Sequence, residues 1–427
     1  MSSAIKVGFK MFYERSHLPN GFEIVTEKMP GVRSVTLGIW FRVGSRDELS
    51  EQFGISHFME HMMFKGTASR SALDISAAFD AMGAELNAFT GKEYTCYYAR
   101  VLDEHLPVAV EILADMLQNS LFAQEAVDSE REVVIEEIAR YEDSPDDHVG
   151  DLFTQALFPA HPLGHSILGT RQIVGSFTHA NCQDYVQRHY HAGNAVLAAA
   201  GNVDHSQLVQ LCQEHFGSLA AGTPNQRRAA DLADRQSLTF QQKDTEQAHL
   251  IYGMFGVPLG DDDRYASRIL DSALGGPMSS RLFQEVREKR GLAYAIYAAT
   301  APYMHAAQFF VYCGTRPANL GKALEIIRAE LARLLQNGLD TSELNRVKEY
   351  IIGHLVLSME STRERMVELG AHAVQALELR SLEQHIASYR AVSLTDIQRV
   401  AERVLTQPAT LAVISPLDFD ELKKLSS

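Results

Sequence analysis

The sequence lacks the features that direct a protein into a membrane or along the secretory pathway. No apolar run approaches the roughly 18 residues that a membrane-spanning helix needs, and the first ten residues contain no continuous apolar segment typical of a secretory signal. The four cysteines, at positions 96, 182, 212 and 313, show no Cys-x-x-Cys spacing. We interpret them as reduced, buried thiols, and we predict a cytoplasmic protein with no membrane partner.

Basic residues are also scarce, because the chain has 39 Lys and Arg against 54 Asp and Glu, a formal net charge of −15. Nucleic-acid binding depends on clustered Lys and Arg, so we predict no nucleic-acid partner. The charge is compatible with attraction of cationic peptides, although solubility is the simpler explanation. A hydrophobic content of 46% with 22% charged residues is typical of globular proteins, and 427 residues fit two or more domains.

The most informative segment is a His-x-x-Glu-His motif inside a predicted helix at residues 54–66. Five apolar residues recur at helical spacing and form a stripe for a core, namely Ile55, Phe58, Met59, Met62 and Met63. His57 and His61 are four residues apart, so their rings project from one face and can bind one metal ion. Glu60 lies in the same arc, where it can act as the base for a metal-activated water.

A catalytic zinc site needs a third protein ligand. Residues 123–142 have the pattern of a helix with an acidic face. Within it, Glu130 and Glu137 are seven residues apart and therefore lie two turns apart on nearly the same face. Spacing does not choose the ligand among the acids of this helix, and a solvated acidic helix is the alternative interpretation.

These motifs resemble the pitrilysin family of zinc peptidases, in particular the short branch that contains the mitochondrial processing peptidases and their bacterial relatives. The resemblance covers most of the chain and is carried by the segments Gly54–Thr67, Leu86–Thr90, Glu130–Glu137 and His161–Gly164. It implies a zinc metalloendopeptidase with one Zn²⁺ per chain. His57, His61 and Glu137 are the implied ligands, Glu60 is the implied general base, and Glu130 assists the site.

The resemblance also implies how a substrate binds. Asn87, Ala88, Phe89 and Thr90 match the family's edge strand near the metal, where an extended peptide is added as a further strand. Backbone pairing tolerates many sequences, so we predict that peptides or unfolded segments are bound there in a closed chamber. The alternative is that these residues form an ordinary strand of the core sheet.

The same order of elements occurs twice along the chain, at offsets of 213 to 218 residues. A predicted strand at 35–43 is repeated at 250–256, with Gly38 and Gly253 in register. Ser129-Glu130 is likewise repeated as Ser342-Glu343. We therefore predict an α+β fold of two homologous halves, each an antiparallel sheet with helices packed on one face.

We place the domain boundaries where composition changes. Residues 1–217 form a zinc-bearing domain, 218–235 an exposed linker rich in turn-forming residues, and 236–427 a homologous domain. The second domain has lost the metal site. The positions that match His57, Glu60, His61 and Glu137 fall near Ser272, Gly275, Gly276 and Tyr350.

The second half instead carries Arg287 and Tyr294, which are seven residues apart and match a substrate-contacting pair of the family. A guanidinium and a phenol are suitable donors to a developing oxyanion and a peptide carbonyl. The alternative is that they are ordinary residues of a helix end and a strand. In the family, two chains pair so that this segment acts on the partner's zinc.

Because this chain carries both the metal motif and the Arg/Tyr segment, we predict a homodimer, with an unlike homologous subunit as the alternative. A rival hypothesis is a non-enzymatic core subunit of the same fold. Such subunits usually have a damaged metal motif, whereas all four residues of the motif are present here. A peptide-binding component of a larger assembly is a further alternative.

Overall fold

The structure is a computed structural model, and it describes residues 12–227, 229 and 235–421. The predicted linker 218–235 lies partly outside these residues, and so do the outer ends of the predicted domains 1–217 and 236–427. The domain boundaries therefore stay predictions.

Among the described residues, no helix is both long and apolar enough to cross a bilayer. The four cysteines are buried and free of disulfides.

The described strands form two sheets. The N-terminal sheet contains β1 (Glu14–His17), β2 (Glu23–Lys28), β3 (Ser34–Phe41), β4 (Glu85–Thr90), β5 (Thr95–Leu102) and β6 (Ala195–Gly201). The C-terminal sheet contains β7 (Leu238–Gln242), β8 (Ala248–Phe255), β9 (Ala293–Pro302), β10 (Ala307–Thr315) and β11 (Thr410–Ser415). The strand orders are β1-β2-β6-β3-β5-β4 and β7-β11-β8-β10-β9.

Apart from β1, the second sheet repeats the order of the first. β3 and β8 occupy the same place, since Gly38 pairs with Tyr98 of β5 and Gly253 pairs with Phe310 of β10. The predicted register of the two glycines is therefore confirmed, and with it the fold of two homologous α+β halves. Each sheet is antiparallel except for one parallel pair, β2 with β6 and β7 with β11.

The helices divide between the halves in the same way. The first half contains α1 (Ile55–Met62), α2 (Ala72–Ala81), α3 (Leu106–Asn119), α4 (Gln124–Asp143), α5 (Pro145–Leu157), α6 (Arg171–Val174), α7 (His179–His189) and α8 (His205–Phe216). The second contains α9 (Arg264–Gly275), a π-helical turn (Phe283–Glu288), α10 (Leu320–Asn337), α11 (Thr341–Ser358), α12 (Thr362–Val374), α13 (Leu382–Ala391) and α14 (Leu394–Leu405). The main core of each half lies between one face of its sheet and its own helices.

The opposite face of each sheet is covered by a helix from the other half. α12 lies across β2, β3 and β6, where Met366 and Leu369 join the cluster around Trp40. In return, α5 lies across β8 and β11, and its Phe153 ring is 6.2 Å from that of Phe310. β3 is therefore buried on both faces. The buried Thr36 hydroxyl is hydrogen-bonded to the Thr362 hydroxyl of α12 at 2.8 Å.

The described part of the linker is exposed for the most part but is hydrogen-bonded to the first half at several residues, among them Arg227 and Asn225. Arg227 donates to both carboxylate oxygens of Asp47, at 2.8 and 2.6 Å. Asn225 donates through Nδ2 to the Arg42 carbonyl at 2.9 Å. These contacts attach the end of the described linker to the loop that leads into the metal-motif helix.

Candidate metal centre and active site

The metal-motif helix α1 begins at a glycine with an unusual backbone angle. Gly54 has φ 99°, a left-handed conformation that favours glycine. The buried carboxylate of Glu48 accepts hydrogen bonds from the Gly54 and Ser56 N–H groups, both at 2.8 Å, and thereby satisfies donors that a helix start leaves free. His165 Nε2 lies 3.2 Å from the same carboxylate. No signal in the sequence indicates this role of Glu48, because its capping contact reaches over a loop to a helix that begins several residues later.

The predicted apolar stripe of α1 is confirmed. All five of its members are buried in the core of the first half, namely Ile55, Phe58, Met59, Met62 and Met63. His57, Glu60 and His61 are half-buried on the other side of the helix. Packing therefore fixes the rotation of α1, and this rotation presents the three motif residues together.

The structure brings Glu137 of α4 to the two histidines. Glu137 Oε2 lies 3.7 Å from His57 Nε2 and 3.6 Å from His61 Nε2. One donor atom from each residue lies within 4.8 Å of the other two. Ligands at about 2.1 Å from one ion in tetrahedral geometry lie about 3.4 Å apart. Two imidazoles and a carboxylate at these distances fit a zinc ion.

Glu130 lies behind His61 and not among the three converging atoms. Its Oε1 is 2.7 Å from His61 Nδ1, and its Oε2 forms an ion pair with Lys65. Burial alone would raise the pKa of Glu130, but the hydrogen bonds from His61 and Lys65 lower it overall. An ionised Glu130 holds the Nδ1 proton of His61 and leaves Nε2 directed at Glu137. No signal in the sequence indicates this role of Lys65, since a lysine after a helix can pair with many acids.

The protonation of the motif follows from its surroundings. Burial, and then the nearby His61, lower the pKa of His57 to about 4, so its imidazole is neutral, as metal binding requires. Burial raises the pKa of Glu60, and a hydrogen bond from Thr90 Oγ1 to Glu60 Oε2 at 2.5 Å partly opposes this effect. Glu60 is thus a partly desolvated carboxyl beside the proposed ligands, which suits a general base.

The four residues from Asn87 to Thr90 lie on β4, the outermost strand at one edge of the N-terminal sheet. β4 pairs with β5, and α1 packs beside it. β4 is therefore an edge strand, as the resemblance implies, and its role in substrate binding stays a prediction. Because the outer backbone groups of β4 face away from β5, an extended peptide can pair with them.

The structure brings Arg287 and Tyr294 together but places them on the second half. Arg287 lies in the π-helical turn, and its guanidinium carbon is 4.8 Å from the ring centroids of both Phe283 and Tyr294. Tyr294 is on β9, the edge strand of the C-terminal sheet, and is 78% exposed. Within the described part of the chain, no hydrogen bond or ion pair joins either residue to His57, His61 or Glu137.

Comparison with known proteins gives a consistent result. Residues 23–171 match the family described as Insulinase (Peptidase family M16), and residues 176–351 match the domain described as Peptidase M16 inactive domain. An uncharacterized zinc protease of Streptomyces coelicolor is 44% identical, over 96% of this chain and 91% of its own length. The uncharacterized zinc protease YmxG of Bacillus subtilis is 41% identical, over 93% of this chain and 97% of its own length.

Two solved structures share the fold. A peptidase M16 inactive domain from Pseudomonas fluorescens aligns with a TM-score of 0.90 at 20% identity, over 96% of this chain and 98% of that chain. A protease from Helicobacter pylori aligns with a TM-score of 0.88 at 22% identity, over 95% and 99% respectively. At these identities the likeness establishes the architecture of both halves.

Proposed function

Because this chain belongs to peptidase family M16, we propose that it is a zinc-dependent endopeptidase that hydrolyses peptides or unfolded segments of proteins. The observation that supports this function is the convergence of His57, His61 and Glu137 beside the half-buried Glu60. The names of its relatives agree, since they are called zinc proteases.

His57 Nε2, His61 Nε2 and the Glu137 carboxylate would hold one Zn²⁺. Zinc bound there supplies Lewis acidity and lowers the pKa of water to about 7. Glu130 orients His61 through its Nδ1 proton, as residues behind a metal ligand usually do. Glu60 accepts the proton of the attacking water and delivers it to the departing amine of the peptide.

The substrate would lie along the edge of β4 that no other described strand covers, held by the backbone of Asn87 to Thr90. Backbone pairing requires an extended chain, which supports peptides and unfolded segments as substrates. Tyr294 and Arg287 would donate to the oxyanion or to a neighbouring carbonyl. Since they lie on the other half of the chain, we propose that two copies close into a chamber and that each pair serves the partner's zinc site.

The main test is Glu60→Gln, which keeps the size of the side chain but removes the base. We expect cleavage of a quenched-fluorescent peptide library to fall by about 10²- to 10⁴-fold, while metal analysis still finds about one zinc per chain. Glu51→Gln, at an exposed acid nine residues earlier, is the matched control and should leave cleavage unchanged. Normal cleavage by Glu60→Gln would show that the proposed mechanism is wrong.

A mixing experiment tests the chamber. Glu60→Gln and Tyr294→Phe chains are each expected to be inactive or weakly active alone. In an equal mixture of exchanging symmetric dimers, about a quarter of the sites combine an intact Glu60 with a Tyr294 from the partner. Recovery of activity on mixing therefore supports action in trans. Exchange of subunits is confirmed by size measurement on tagged chains. If exchange occurs and the mixture stays inactive, action in trans between two copies of this chain is refuted, and the alternative of an unlike homologous subunit is the next to test.

The four buried cysteines, none of which forms a disulfide, support a reducing compartment. We therefore propose that the protein acts in the cytoplasm. Fractionation of cells that produce the tagged chain tests this placement.

A further inference from the structure

We infer that Thr90 is a positioning residue for the general base, because its hydroxyl fixes the carboxyl of Glu60 relative to the strand that pairs with the peptide. This inference rests on the proposed function and assigns Thr90 a role for its side chain, beyond the backbone pairing expected of β4.

The contact itself is short and well defined. Thr90 Oγ1 donates to Glu60 Oε2 at 2.5 Å, within the range of charge-assisted hydrogen bonds between oxygens. Among the described residues, this is the one hydrogen bond that the Glu60 carboxyl makes. Glu130, by contrast, is held by two partners, His61 and Lys65. A glutamate side chain has several rotatable bonds, and a hydroxyl bound to Oε2 leaves Oε1 for the proton transfer.

Thr90 is held rigidly enough to serve as a reference point. It is the last residue of β4 and lies opposite Thr95 of β5 in the sheet register. The turn that follows is closed by a hydrogen bond from Gly91 N–H to the Tyr94 carbonyl at 2.8 Å. The position of the Thr90 hydroxyl is therefore set by the sheet.

This arrangement joins two elements that must be aligned for hydrolysis. Glu60 belongs to α1, which also carries two proposed zinc ligands, whereas the peptide would pair with β4. The Thr90–Glu60 hydrogen bond links the two elements at the base itself. A displacement of about 1 Å at a reacting group can cost about 10²-fold in rate. Loss of this hydrogen bond should therefore lower kcat and not substrate affinity.

The test compares Thr90→Val, Thr90→Ser and the control Thr95→Val. Valine has the shape of threonine without the hydroxyl, and serine restores the hydroxyl. We expect Thr90→Val to lower kcat by about 10- to 100-fold, with KM within about twofold of wild type and zinc content unchanged. Thr90→Ser should recover kcat to within about threefold. Thr95→Val removes the 2.9 Å hydrogen bond from Thr95 to the Val43 carbonyl, which involves neither Thr90 nor Glu60. At temperatures where this variant is folded, it should keep the wild-type kcat.

Either of two results would overturn the inference. A rise in KM with kcat unchanged would mean that Thr90 only binds substrate. A loss of kcat in Thr95→Val as large as that in Thr90→Val would mean that the sheet, and not the hydroxyl, is responsible.

A measurement on the metal-free protein separates this inference from the proposed function. Urea unfolding of wild type, Thr90→Val, Glu60→Ala and the double variant forms a double-mutant cycle, in which alanine removes the acceptor of the hydrogen bond. We expect a coupling of about threefold to tenfold in the equilibrium constant for unfolding. If the coupling is present but wild type shows no Glu60-dependent cleavage, the proposed function fails and Thr90 is only a structural contact. If cleavage depends on Glu60 but the coupling is absent, only the inference about Thr90 fails.

Discussion

The two halves of the chain contain the same pairing of a helix with an edge strand, and only one of them leaves room for a metal site. In the first half, α1 faces β4 with the Glu60 side chain and the Thr90 hydroxyl between them. In the second half, α9 packs directly on β9. A Cβ atom added to Gly275 would lie 2.2 Å from the Ala298 backbone nitrogen, which no side chain tolerates. The second half therefore lacks both the ligands and the space for them.

The helix that carries the proposed third ligand, α4, also differs from its counterpart in the second half. α4 supplies Glu137 to the histidines of α1. The corresponding helix of the second half is α11, where the exposed Tyr350 ring lies 4.4 Å from that of His354. Two copies of one fold have thus diverged at the same two elements, which indicates that a metal site depends on the separation of helix and strand as much as on the ligand set.

The largest expected effect comes from comparing Glu137 of α4 with an acid of α11, the corresponding helix of the second half. Glu137→Gln removes a proposed zinc ligand, so we expect zinc content to fall from about one per chain to near zero and peptide cleavage to disappear. Glu349→Gln, an exposed acid on α11, should change neither. Metal analysis after dialysis and the peptide assay measure both effects. Zinc retained in full by Glu137→Gln would remove Glu137 from the ligand set.

The next effect tests the close packing of α9 on β9 in the second half. Gly275→Ala places a methyl group against the Ala298 nitrogen, and overpacking of this kind costs about 2 to 3 kcal/mol in the free energy of unfolding. Gly353→Ala on α11 is the control, since a Cβ there meets no atom within 4 Å, and it should stabilise the helix by about 0.5 to 1 kcal/mol. Urea unfolding gives both values. Equal stability of the two variants would contradict the tight packing of α9 on β9.

The smallest effect concerns a buried acid that has no counterpart in the metal-motif helix α1. Asp271 of α9 accepts a hydrogen bond from Thr300 at 3.0 Å, and its Oδ2 has no hydrogen-bond partner among the described residues. Burial raises its pKa to about 7, whereas an exposed aspartate titrates near 3.9. Between these pH values the folded chain binds one more proton than the unfolded chain, so the free energy of unfolding falls as the pH rises.

Asp271→Asn should remove this dependence. We expect the free energy of unfolding of the variant, relative to that of wild type, to rise by about 2 kcal/mol from pH 5.5 to pH 8. This window begins about one and a half units below the folded-state pKa, and one pKa unit corresponds to about 1.4 kcal/mol. Asp262→Asn, at an exposed acid before the same helix, should leave the pH dependence as it is. Parallel stability curves for Asp271→Asn and wild type between pH 5.5 and pH 8 would refute the role of Asp271.

Much of the fold and site could be predicted because the signals are local. The apolar stripe of α1 fixes which face carries His57, Glu60 and His61, and the repeated order of elements predicts two similar sheets. The choice of Glu137 over the other acids of α4 required the family resemblance. Helical spacing places several carboxylates on one face, and only packing decides which of them reaches the histidines.

Other features depend on contacts between distant segments. The Glu48 cap, the Lys65 ion pair and the Thr90 hydrogen bond each join residues whose types are common in loops and strands. The exchange of α5 and α12 between the halves was also not predicted. An amphipathic helix pattern indicates that one face is buried, but it does not identify the sheet that buries it.

By itself, the sequence determined which residues can bind a metal and act as a base, since periodicity and spacing set the directions of side chains along one helix. The sequence also indicated that the second half has no metal ligands, since Ser272, Gly275 and Gly276 stand near the positions of the motif. Only the tertiary structure decided that the helix and the edge strand leave space for side chains in the first half and not in the second. The reason is steric, because the distance between a helix and an edge strand is set by the packing of whole elements. At Glu60 that distance admits a carboxylate, whereas at Gly275 it excludes even a methyl group.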